Sequence, residues 1–566
     1  MTKRRVSTTT AFSALCALAT TVAAYHWPSP KFDAVEGLLY EFEPEPPNHG
    51  SLHLTLSGCV PLNNESKAAE WLRFAYHDMA THNIDDGTGG LDASLYYELD
   101  RAENVGNGMR ATVFDFIDFP TKYISKSDII GVGTVLAVAE CGGPSIPFRM
   151  GRVDSFVAGP PGVPEPSQDL ATHTETFRKQ GFTQSEMIGL VACGHTLGGV
   201  RFPDFPDIVQ APEDGSQLIE TFDTNSGFDN SVVTQYLDGT TKNPLVVSSN
   251  TTDLSDLRIF SSDNNVTMKG MATPKAFADT CRDLIERMIN TVPKDVVLSD
   301  VVQFVPAKVA SVQLSVTNEA LNLKAMLRVS SSSRIPLSTA NPLRNVTMFW
   351  ESRTGGSCNR RTCSSPFVSQ NDTTTELTRR MGLSPQKYYF DAPINATTSI
   401  SKFWFEVDEH NGKKPIVIDN GGTGYVIEQD HVLFDPVRST HAFSGSNIVV
   451  AVKNDSIPSR VYANVMWRVT FTPQDLTVDF APAPSFPPTA GYTFYQAQIA
   501  APDFTFDLFS TVGGTTYTED ARDSRYVTGV NNTSPFRRDL QKRIERDNLR
   551  RELRAKRSEL KQRRGH

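Results

Sequence analysis

The chain has 566 residues, which is too long for one ordinary domain and predicts two or three. Its formal net charge is −9, and nothing in the distribution of charge requires a nucleic-acid partner. No stretch beyond the N-terminus is apolar over enough residues to cross a bilayer, so we expect no transmembrane segment.

The N-terminus has the three parts of a secretory signal peptide. A basic start, Lys3-Arg4-Arg5, precedes an apolar stretch over residues 11–19, and Val22-Ala23-Ala24 offers a small-residue cleavage site. Nine Asn-x-Ser/Thr triplets, some of which arise by chance, also favour export: Asn64, Asn250, Asn265, Asn345, Asn371, Asn395, Asn454, Asn531 and Asn532. We therefore predict a signal peptide over residues 1–24 and a secreted, extracellular glycoprotein.

The cysteine count agrees with an oxidising compartment. Six of the seven cysteines remain once Cys16 leaves with the signal peptide, an even number that suits disulfide bonds. Cys358 and Cys363 are close enough in sequence to pair with each other. The sequence does not assign partners to the other four, which are Cys59, Cys141, Cys193 and Cys281.

After a lead-in over residues 25–65, helical patterns alternate with Gly-, Pro- and Asp-rich loops as far as residue 295. The predicted helices cover residues 67–78, 109–119, 126–140, 170–180, 185–193 and 275–290. Little of this region has the alternation of a strand. We predict one mainly α domain over residues 66–295.

From about residue 298 the pattern becomes that of strands separated by Gly, Asn and Pro turns. The strand-like segments are 301–305, 312–316, 402–407, 447–452 and 462–471. They predict an all-β, sandwich-like domain over residues 296–480. Residues 481–488 are typical of a stiff Pro-rich linker, and residues 491–529 either return to β structure or are loosely ordered. We assign 481–535 to this linker and open region.

The last segment, residues 536–566, is a basic tail. Residues 537–566 hold 13 Lys or Arg against 5 Asp or Glu, with apolar residues at roughly helical spacing. One interpretation is a solvated helix or disordered tail, and another is binding to an acidic surface. Dibasic pairs such as Arg537-Arg538 also resemble processing sites that would remove the tail.

Two histidine segments lie in apolar, helix-like contexts: Trp71-Leu-Arg-Phe-Ala-Tyr-His77-Asp78 and Leu190-Val-Ala-Cys-Gly-His195-Thr196-Leu-Gly198. Arg73 precedes His77 by four residues, which places both on one helical face. A cation beside a proton acceptor suits cleavage of a peroxide O–O bond, and His195 has the context of an axial ligand to haem iron. The two histidines could approach opposite faces of one flat cofactor.

With these motifs the chain resembles the plant, fungal and bacterial (non-animal) haem peroxidase superfamily. Residues 147–154, Pro-Phe-Arg-Met-Gly-Arg-Val-Asp, are similar to the cytochrome c peroxidase type. His77-Asp78 together with Gly90-Leu-Asp92-Ala-Ser94 is similar to the secreted fungal and plant type. The chain thus resembles a hybrid secreted fungal peroxidase over about two-fifths of its length. The resemblance implies haem b, H2O2 as oxidant and a small reducing substrate.

The resemblance gives the first segment the proton chemistry. His77 would take a proton from one peroxide oxygen and deliver it to the other, and Arg73 would stabilise negative charge on the departing oxygen. A buried or capping histidine and a surface salt bridge are the alternatives to these roles. A neutral, oriented His77 needs an acceptor on its other ring nitrogen. Asn107 is the expected orienting asparagine, unless it serves only its Gly-containing turn.

The second segment is expected to hold the cofactor. His195 would be the axial ligand of the haem iron, and a carboxylate on its far ring nitrogen would give it imidazolate character. The resemblance places that carboxylate within residues 252–260. Asp256 fits the local pattern and is preferred, whereas Asp253 fits the spacing to the final helix and is the alternative. Whichever of the two aspartates does not contact His195 would then cap a helix.

Calcium is the second predicted inorganic group. Carboxylate, carbonyl and hydroxyl oxygens suit Ca²⁺, and a distal set is formed by Asp78, Gly90, Asp92 and Ser94. A proximal set, about one residue shorter than the fungal pattern, is formed by Thr196, Asp223, Thr224 and Asp229. Ordinary Asp- and Gly-rich turns are the alternative for both sets.

Several positions depart from the family pattern. Tyr76 stands where Trp or Phe is usual, so its phenol could hydrogen-bond an oxygen held at the cofactor, be oxidised itself, or be a packed aromatic. No tryptophan lies between Trp71 and Trp350, and Arg101 replaces the glutamate expected six residues before Asn107. Residues 163–166, Val-Pro-Glu-Pro, resemble the loop at which small donors approach, or form only a rigid loop.

These observations predict a mainly α haem-peroxidase domain followed by an all-β domain. The expected activity is the reduction of H2O2 with one-electron oxidation of small phenolic or related aromatic donors. The alternative is a secreted, non-catalytic binding or cell-wall protein built on the same fold, in which the β domain contacts glycans.

Overall fold

The computed structural model describes residues 25–42, 51–56, 59, 66–202, 204–209, 219–333, 335–338, 341–355, 358–442, 445–467, 474–501 and 503–527. The predicted signal peptide, the basic tail and the triplets at Asn64, Asn531 and Asn532 lie outside these residues. In the part of the chain so described, no helix is both long and apolar enough to cross a membrane.

The first half of the chain is helical, as predicted. Its helices are α1 (Pro30–Tyr40), α2 (Leu52–Leu56), α3 (Lys67–Met79), α4 (Asn107–Phe116), α5 (Lys126–Glu140), α6 (Leu170–Lys179), α7 (Gln184–Gly194), α8 (Ser231–Asp238), α9 (Pro244–Val247), α10 (Ser255–Ser261), α11 (Val266–Gly270) and α12 (Pro274–Ile289). A small hairpin, β1 (Gly199–Arg201) and β2 (Ile219–Thr221), follows α7. All six helices expected from periodicity are confirmed to within two residues at either end, except for the C-terminus of α4.

The helices begin where the sequence supplies caps. Ser66 accepts a hydrogen bond from the N–H of Ala69 at the start of α3, and Thr183 and Glu186 form a capping box at the start of α7. Helix α5 is apolar on nearly every side and lies buried, packed against α3. The two histidine-bearing segments are thus anchored on a rigid helical core.

Where the structure describes it, the second half of the chain is antiparallel β structure with one short α-helix, α13 (Glu376–Arg380), and a 3-10 turn at Ser524–Tyr526. Its strands are β3 (Ala307–Thr317), β4 (Ala320–Val329), β5 (Asn345–Glu351), β6 (Ser364–Pro366), β7 (Ser369–Asp372), β8 (Gln386–Ile394), β9 (Lys402–Asp408), β10 (Ile416–Ile418), β11 (Tyr425–Val426), β12 (Val432–Ala442), β13 (Gly445–Lys453), β14 (Arg460–Trp467), β15 (Gln474–Asp479), β16 (Ala481–Pro482), β17 (Tyr492–Ile499), β18 (Thr505–Val512) and β19 (Thr515–Asp523).

These strands form four sheets in stacked layers. The strand orders are β3-β4-β8-β7, β10-β9-β5-β6 with β11 on β9, β12-β13-β17-β16, and β15-β14-β18-β19. Strand β13 contributes to two cores at once, because Val449 and Ala451 join one apolar cluster while Val450 and Val452 join the next. Its continuous apolar run, Ile448 to Val452, is what a strand covered on both faces requires. The predicted all-β, sandwich-like architecture is confirmed.

Two expectations for this region are wrong. Residues 301–305 form no strand and make only an isolated bridge, between Val301 and Arg149. The expected linker at residues 481–488 instead begins with the paired strand β16, and the following segment, which the sequence left open, returns to β structure in β17, β18 and β19. Proline is tolerated in β16 because this strand lies at the edge of its sheet, where a missing N–H costs no ladder bond. The β domain therefore extends to at least Val527, which is buried in its last core.

Three disulfides join the six cysteines. Cys358 pairs with Cys363, as predicted. The pairs that the sequence left open both fall within the helical domain: Cys59 with Cys141, and Cys193 with Cys281. The second pair ties α7, which leads to His195, to the long helix α12.

The N-terminal segment joins the helical domain to the β domain through an interdomain charge cluster. This cluster consists of two acids from the segment and three cations from β3, β4 and β8: Glu36, Glu41, Lys308, Arg328 and Lys387. All five residues are at most 2% exposed. Because charges so deeply buried need partners, the segment and the β domain depend on each other.

Candidate active site

His77 and Arg73 lie one turn apart on α3 and line a cavity of about 780 Å³. His77 is 6% exposed, and Arg73 donates from Nη2 to the carbonyl of Val105 at 3.0 Å. The predicted pairing of a cation and a proton acceptor on one helical face is therefore present in the fold.

Asn104 holds the His77 ring. His77 Nδ1 lies 2.8 Å from Asn104 Oδ1, and Asn104 Nδ2 donates to the carbonyl of Glu98 at 3.0 Å. The bond to Glu98 fixes which end of the amide faces the histidine, so Nδ1 carries the proton and Nε2 is the acceptor.

Asn107 does not have the predicted orienting role. It begins α4 with an exposed side chain, three residues beyond the asparagine that contacts His77. The family pattern expects a glutamate six residues before the orienting asparagine. Counted from Asn104, that glutamate is present as Glu98, so Arg101 does not replace it. Arg101 instead forms an ion pair with Glu98 at 3.0 Å and donates to the carbonyl of Gly159.

Burial and neighbouring charges keep His77 and Arg73 in different charge states. Burial, followed by the nearby Arg73 guanidinium, lowers the pKa of His77 to about 3, so the imidazole is neutral near pH 7. Burial also lowers the pKa of Arg73, to about 10, against the opposing influence of Asp204 and Glu70. Arg73 is therefore still a cation at that pH.

His195 follows α7 and lines the same cavity. Its Nδ1 lies 2.8 Å from Asp256 Oδ2, and the same oxygen accepts from Asn243 Nδ2 at 2.7 Å. Asp256 is 1% exposed, and its buried carboxylate is held between these two donors. Asp253, the alternative, instead accepts from Asn250 Nδ2 at 2.6 Å. Of the two candidates, the fold brings Asp256 to the histidine.

Two aromatic residues frame the site. The Phe222 ring stacks on His195 with centroids 4.2 Å apart and an interplanar angle of 11°. The Tyr76 ring stacks on Phe177, and its hydroxyl donates to Gln180 Oε1 at 3.2 Å. Burial raises the pKa of Tyr76, so its phenol stays protonated. The hydroxyl of Tyr76 is thus engaged by the protein.

The distal oxygen set is assembled around Asp78. Its carboxylate accepts from the N–H groups of Ala93 at 2.8 Å and Leu95 at 2.9 Å, and Asp92 accepts from the N–H of Ser94 at 3.0 Å. Burial raises the pKa of Asp78 well above its usual value, and the nearby charge of Asp92 raises it further. A cation beside these two carboxylates would relieve that repulsion.

The proximal oxygen set is less complete. Thr196 donates to the carbonyl of Asp229 at 2.6 Å, and burial together with Asp229 raises the pKa of Asp223 to about 7. Thr224 is exposed and accepts from Gln235. Over the described ranges, no three His, Cys, Asp or Glu side chains come together as a metal-binding group.

The helical domain with this pair of anchored histidines is of the peroxidase class. A family model described as peroxidase matches residues 59–281, and the curated relatives include ascorbate and cytochrome c peroxidases. This part of the chain is a peroxidase domain of the plant, fungal and bacterial superfamily, of a fungal hybrid type, as the motifs predicted.

Three relatives indicate how far the similarity extends. A WSC domain-containing protein of Arthroderma benhamiae is 35% identical over 354 residues, which cover 61% of this chain and 47% of that protein. Putative L-ascorbate peroxidase 6 of Arabidopsis thaliana is 36% identical over 144 residues, or 25% and 44% of the two chains. The mitochondrial cytochrome c peroxidase of Cryptococcus neoformans is 34% identical over 139 residues, or 24% and 37%. The chain spans less than half the length of each of these relatives.

Proposed function

We propose that this protein is a secreted haem peroxidase that reduces H2O2 and oxidises small phenolic or related aromatic donors by one-electron steps. One observation carries the proposal. A single cavity is lined by both histidines, and each has its Nδ1 held by a buried acceptor, Asn104 for His77 and Asp256 for His195. Both Nε2 atoms are therefore left for chemistry.

The residues of the cavity fit a haem. About 780 Å³ is within the usual range for a cofactor site, about 300–1,000 Å³, and more of the lining surface is apolar than polar. His195 would hold haem b through Nε2, because its Nδ1 proton is donated to Asp256. When bound, haem would supply the redox-active iron at which peroxide is reduced.

The distal residues would move the proton. His77 Nε2 would accept a proton from one peroxide oxygen and return it to the other, so that water rather than hydroxide leaves. Its low pKa keeps it unprotonated and ready to accept. Arg73 would stabilise negative charge on the leaving oxygen, since its guanidinium stays cationic near pH 7.

The donor would approach along the loop at residues 163–166, part of which is exposed and part of which lines the cavity. The alternative in which Tyr76 takes part in the chemistry has less support, because its hydroxyl is bonded to Gln180 and its ring is packed on Phe177.

Calcium would brace both histidine segments. The distal set of Asp78, Gly90, Asp92 and Ser94 is supported by two buried carboxylates with raised pKa values. The proximal set of Thr196, Asp223, Thr224 and Asp229 has weaker support, because Thr224 is exposed.

Secretion is supported by the N-terminal signal pattern and by the three disulfides. Among the predicted glycosylation sites, Asn345, Asn395 and Asn454 are exposed. Asn250 is a poor acceptor because its Nδ2, the atom that a glycan would modify, donates to Asp253.

A second candidate function is glycan or cell-wall contact through the β domain. Tyr462 and Phe509, a cross-strand pair on β14 and β18, stack with centroids 4.8 Å apart and are only half-buried. Asn464 and Thr477 place amide and hydroxyl groups on the neighbouring positions. Aromatic side chains beside hydrogen-bonding groups suit a sugar ring, and the Arg460 guanidinium, 4.1 Å from the Tyr462 ring centroid, adds a further donor.

The test of peroxidase function uses the purified full chain reconstituted with haem. We expect a Soret band that shifts on adding H2O2 and recovers with a phenolic donor. His195→Ala should lose the axial-ligand spectrum, and His77→Leu should keep haem but react with peroxide at least about 100-fold more slowly. His410→Ala, an exposed histidine of the β domain, is the matched control.

Three results would count against the proposal. They are a wild-type protein that binds no haem, a haem-bound protein that is inert to peroxide, and a His77→Leu variant as fast as wild type. The first two would favour the non-catalytic alternative. In that case, loss of binding to insoluble chitin, β-glucan or cellulose in the Tyr462→Ala variant would support the glycan role.

A further inference from the structure

One wall of the cavity is a loop that the protein holds at several separate points. The wall loop, residues 159–168, lines the cavity with Val163, Pro164, Glu165, Pro166 and Ser167, and several of its residues are also exposed. It contains no helix or strand of its own. Its position depends on what its backbone groups contact.

Arg258 binds the C-terminal end of the wall loop. Its Nη2 donates to the carbonyls of Pro166 and Gln168, the latter at 2.9 Å, and its Nη1 donates to the carbonyl of Thr252 at 2.9 Å. A planar guanidinium can satisfy carbonyls on two segments at once, which a lysine cannot do with the same geometry. Arg258 thereby joins the loop to the segment that leads into α10.

His173 binds the middle of the wall loop. It is 1% exposed, and its Nε2 lies 2.9 Å from the carbonyl of Glu165. Because a carbonyl only accepts, Nε2 carries the proton and the ring is locked in one tautomer. Burial lowers the pKa of His173, which agrees with a neutral ring in a structural role.

The N-terminal part of the wall loop is held from the distal side. Gly159 donates to Glu98 Oε1 at 2.7 Å, and the carbonyl of Gly162 accepts from Gln180 Nε2 at 3.1 Å. The same Gln180 amide accepts from Tyr76. The loop thus spans the cavity from the His77 side to the Asp256 side, and Arg258 is its anchor on the latter.

We infer that Arg258 is a positioning residue for the electron donor. It holds the wall loop in the shape against which a small phenolic donor packs, and it plays no part in the peroxide step. Arg258 does not line the cavity, so it acts through the loop. It also follows Asp256 by two residues on α10, a spacing at which side chains do not share a helical face, so the His195 bond is separate from it.

This inference rests on the proposed function, and its test separates the two. Hydrogen–deuterium exchange of the haem-reconstituted protein measures the loop directly, stopped-flow with H2O2 measures the peroxide step, and steady-state kinetics with guaiacol measure the donor step. The variants are Arg258→Ala, Arg258→Lys and, as a control on an exposed arginine of α12, Arg282→Ala.

For Arg258→Ala we expect faster exchange in peptides covering residues 163–168 and a KM for guaiacol raised about tenfold, the equivalent of one lost charge-assisted hydrogen bond. The rate with H2O2 and the Soret spectrum should stay within about twofold of wild type, since the His77 and His195 contacts are untouched. The loop exchange and the KM of Arg258→Lys should lie between those of wild type and Arg258→Ala, and Arg282→Ala should match wild type. If Arg258→Ala gives no soluble protein, the same measurements on Arg258→Lys alone test the positioning role of Arg258.

Unchanged exchange in the loop would overturn the anchoring role. An equal loss in the peroxide and donor steps would overturn the assignment to the donor, because it would mean that α10 and Asp256 had shifted. If the wild-type protein does not react with peroxide, the proposed function fails and the donor role with it. Faster loop exchange in Arg258→Ala would then still identify Arg258 as the anchor of the loop.

Discussion

Removal of one carboxylate from the interdomain charge cluster should measurably destabilise the protein. Glu41 Oε2 lies 2.7 Å from Lys387 Nζ, and Oε1 lies 2.9 Å from Arg328 Nη1, with all three groups buried. Burial by itself would raise the pKa of Glu41, but Lys387, Arg328 and Lys308 together lower it from 4.5 to about 2.

A shift of this size corresponds to about 3 kcal/mol of favourable interaction. That value agrees with the roughly 3–5 kcal/mol lost when one partner of a buried ion pair is removed. We therefore expect Glu41→Gln to lower the free energy of unfolding by about 3 kcal/mol, because Lys387 is left buried without its carboxylate.

The assay is urea denaturation at pH 7, followed by tryptophan fluorescence and circular dichroism. Asp279→Asn, which breaks the exposed pair with Lys275, is the control and should change stability by at most about 0.5 kcal/mol. The double variant Glu41→Gln with Lys387→Met should recover part of the loss, since it removes both charges. A Glu41→Gln effect no larger than that of Asp279→Asn would refute the reasoning.

Three further predictions concern pH, the distal site and calcium. Because the folded pKa of Glu41 is about 2 against an ordinary 4.5, its contribution is complete above pH 4.5 and is lost as pH falls through 2. Wild-type stability should therefore fall more steeply over that window than that of Glu41→Gln, and parallel curves would contradict the linkage. Asn104→Ala should slow the stopped-flow reaction with peroxide about tenfold, whereas Asn107→Ala should leave it unchanged; the reverse order would restore Asn107 as the orienting residue. Chelation with EGTA should lower the thermal midpoint of wild type but not of Asp92→Asn, and equal shifts would argue against the distal calcium site.

The helical domain was largely predictable because its signals are local. Caps at Ser66 and Thr183, and apolar residues at helical spacing, define α3 and α7 within the segments themselves. The four-residue spacing of Arg73 and His77 needs only helix geometry to place them together.

Contacts between loops were harder to predict. Asn104 and Asn107 lie three residues apart in one Gly-containing segment, and sequence distance from His77 could not separate them. One signal was available, because Glu98 precedes Asn104 by the six residues that the family pattern requires. Arg258 and His173 carried no such signal, since their partners are backbone carbonyls, which any sequence supplies.

The end of the β domain was missed for a different reason. Proline normally argues against strand, and residues 481–488 contain several. Whether a proline fits in a strand depends on the position of that strand in its sheet. Strand order in turn depends on contacts between distant segments, which the sequence does not reveal. The short edge strand β16 accommodates Pro482 for this reason.

The charge cluster also has a consequence for the order of events during synthesis. Glu36 lies 272 residues before Lys308 and 292 before Arg328, so it leaves the ribosome long before its cations exist. At about 5–20 residues per second, that delay is roughly 15–60 s. The apolar residues of α1 can pack against α5 once the peroxidase domain is made, whereas Glu36 has no cation from the β domain until residue 308 and beyond are made. A product truncated before residue 308 would therefore leave Glu36 and Glu41 without the cations that they bind in the folded protein.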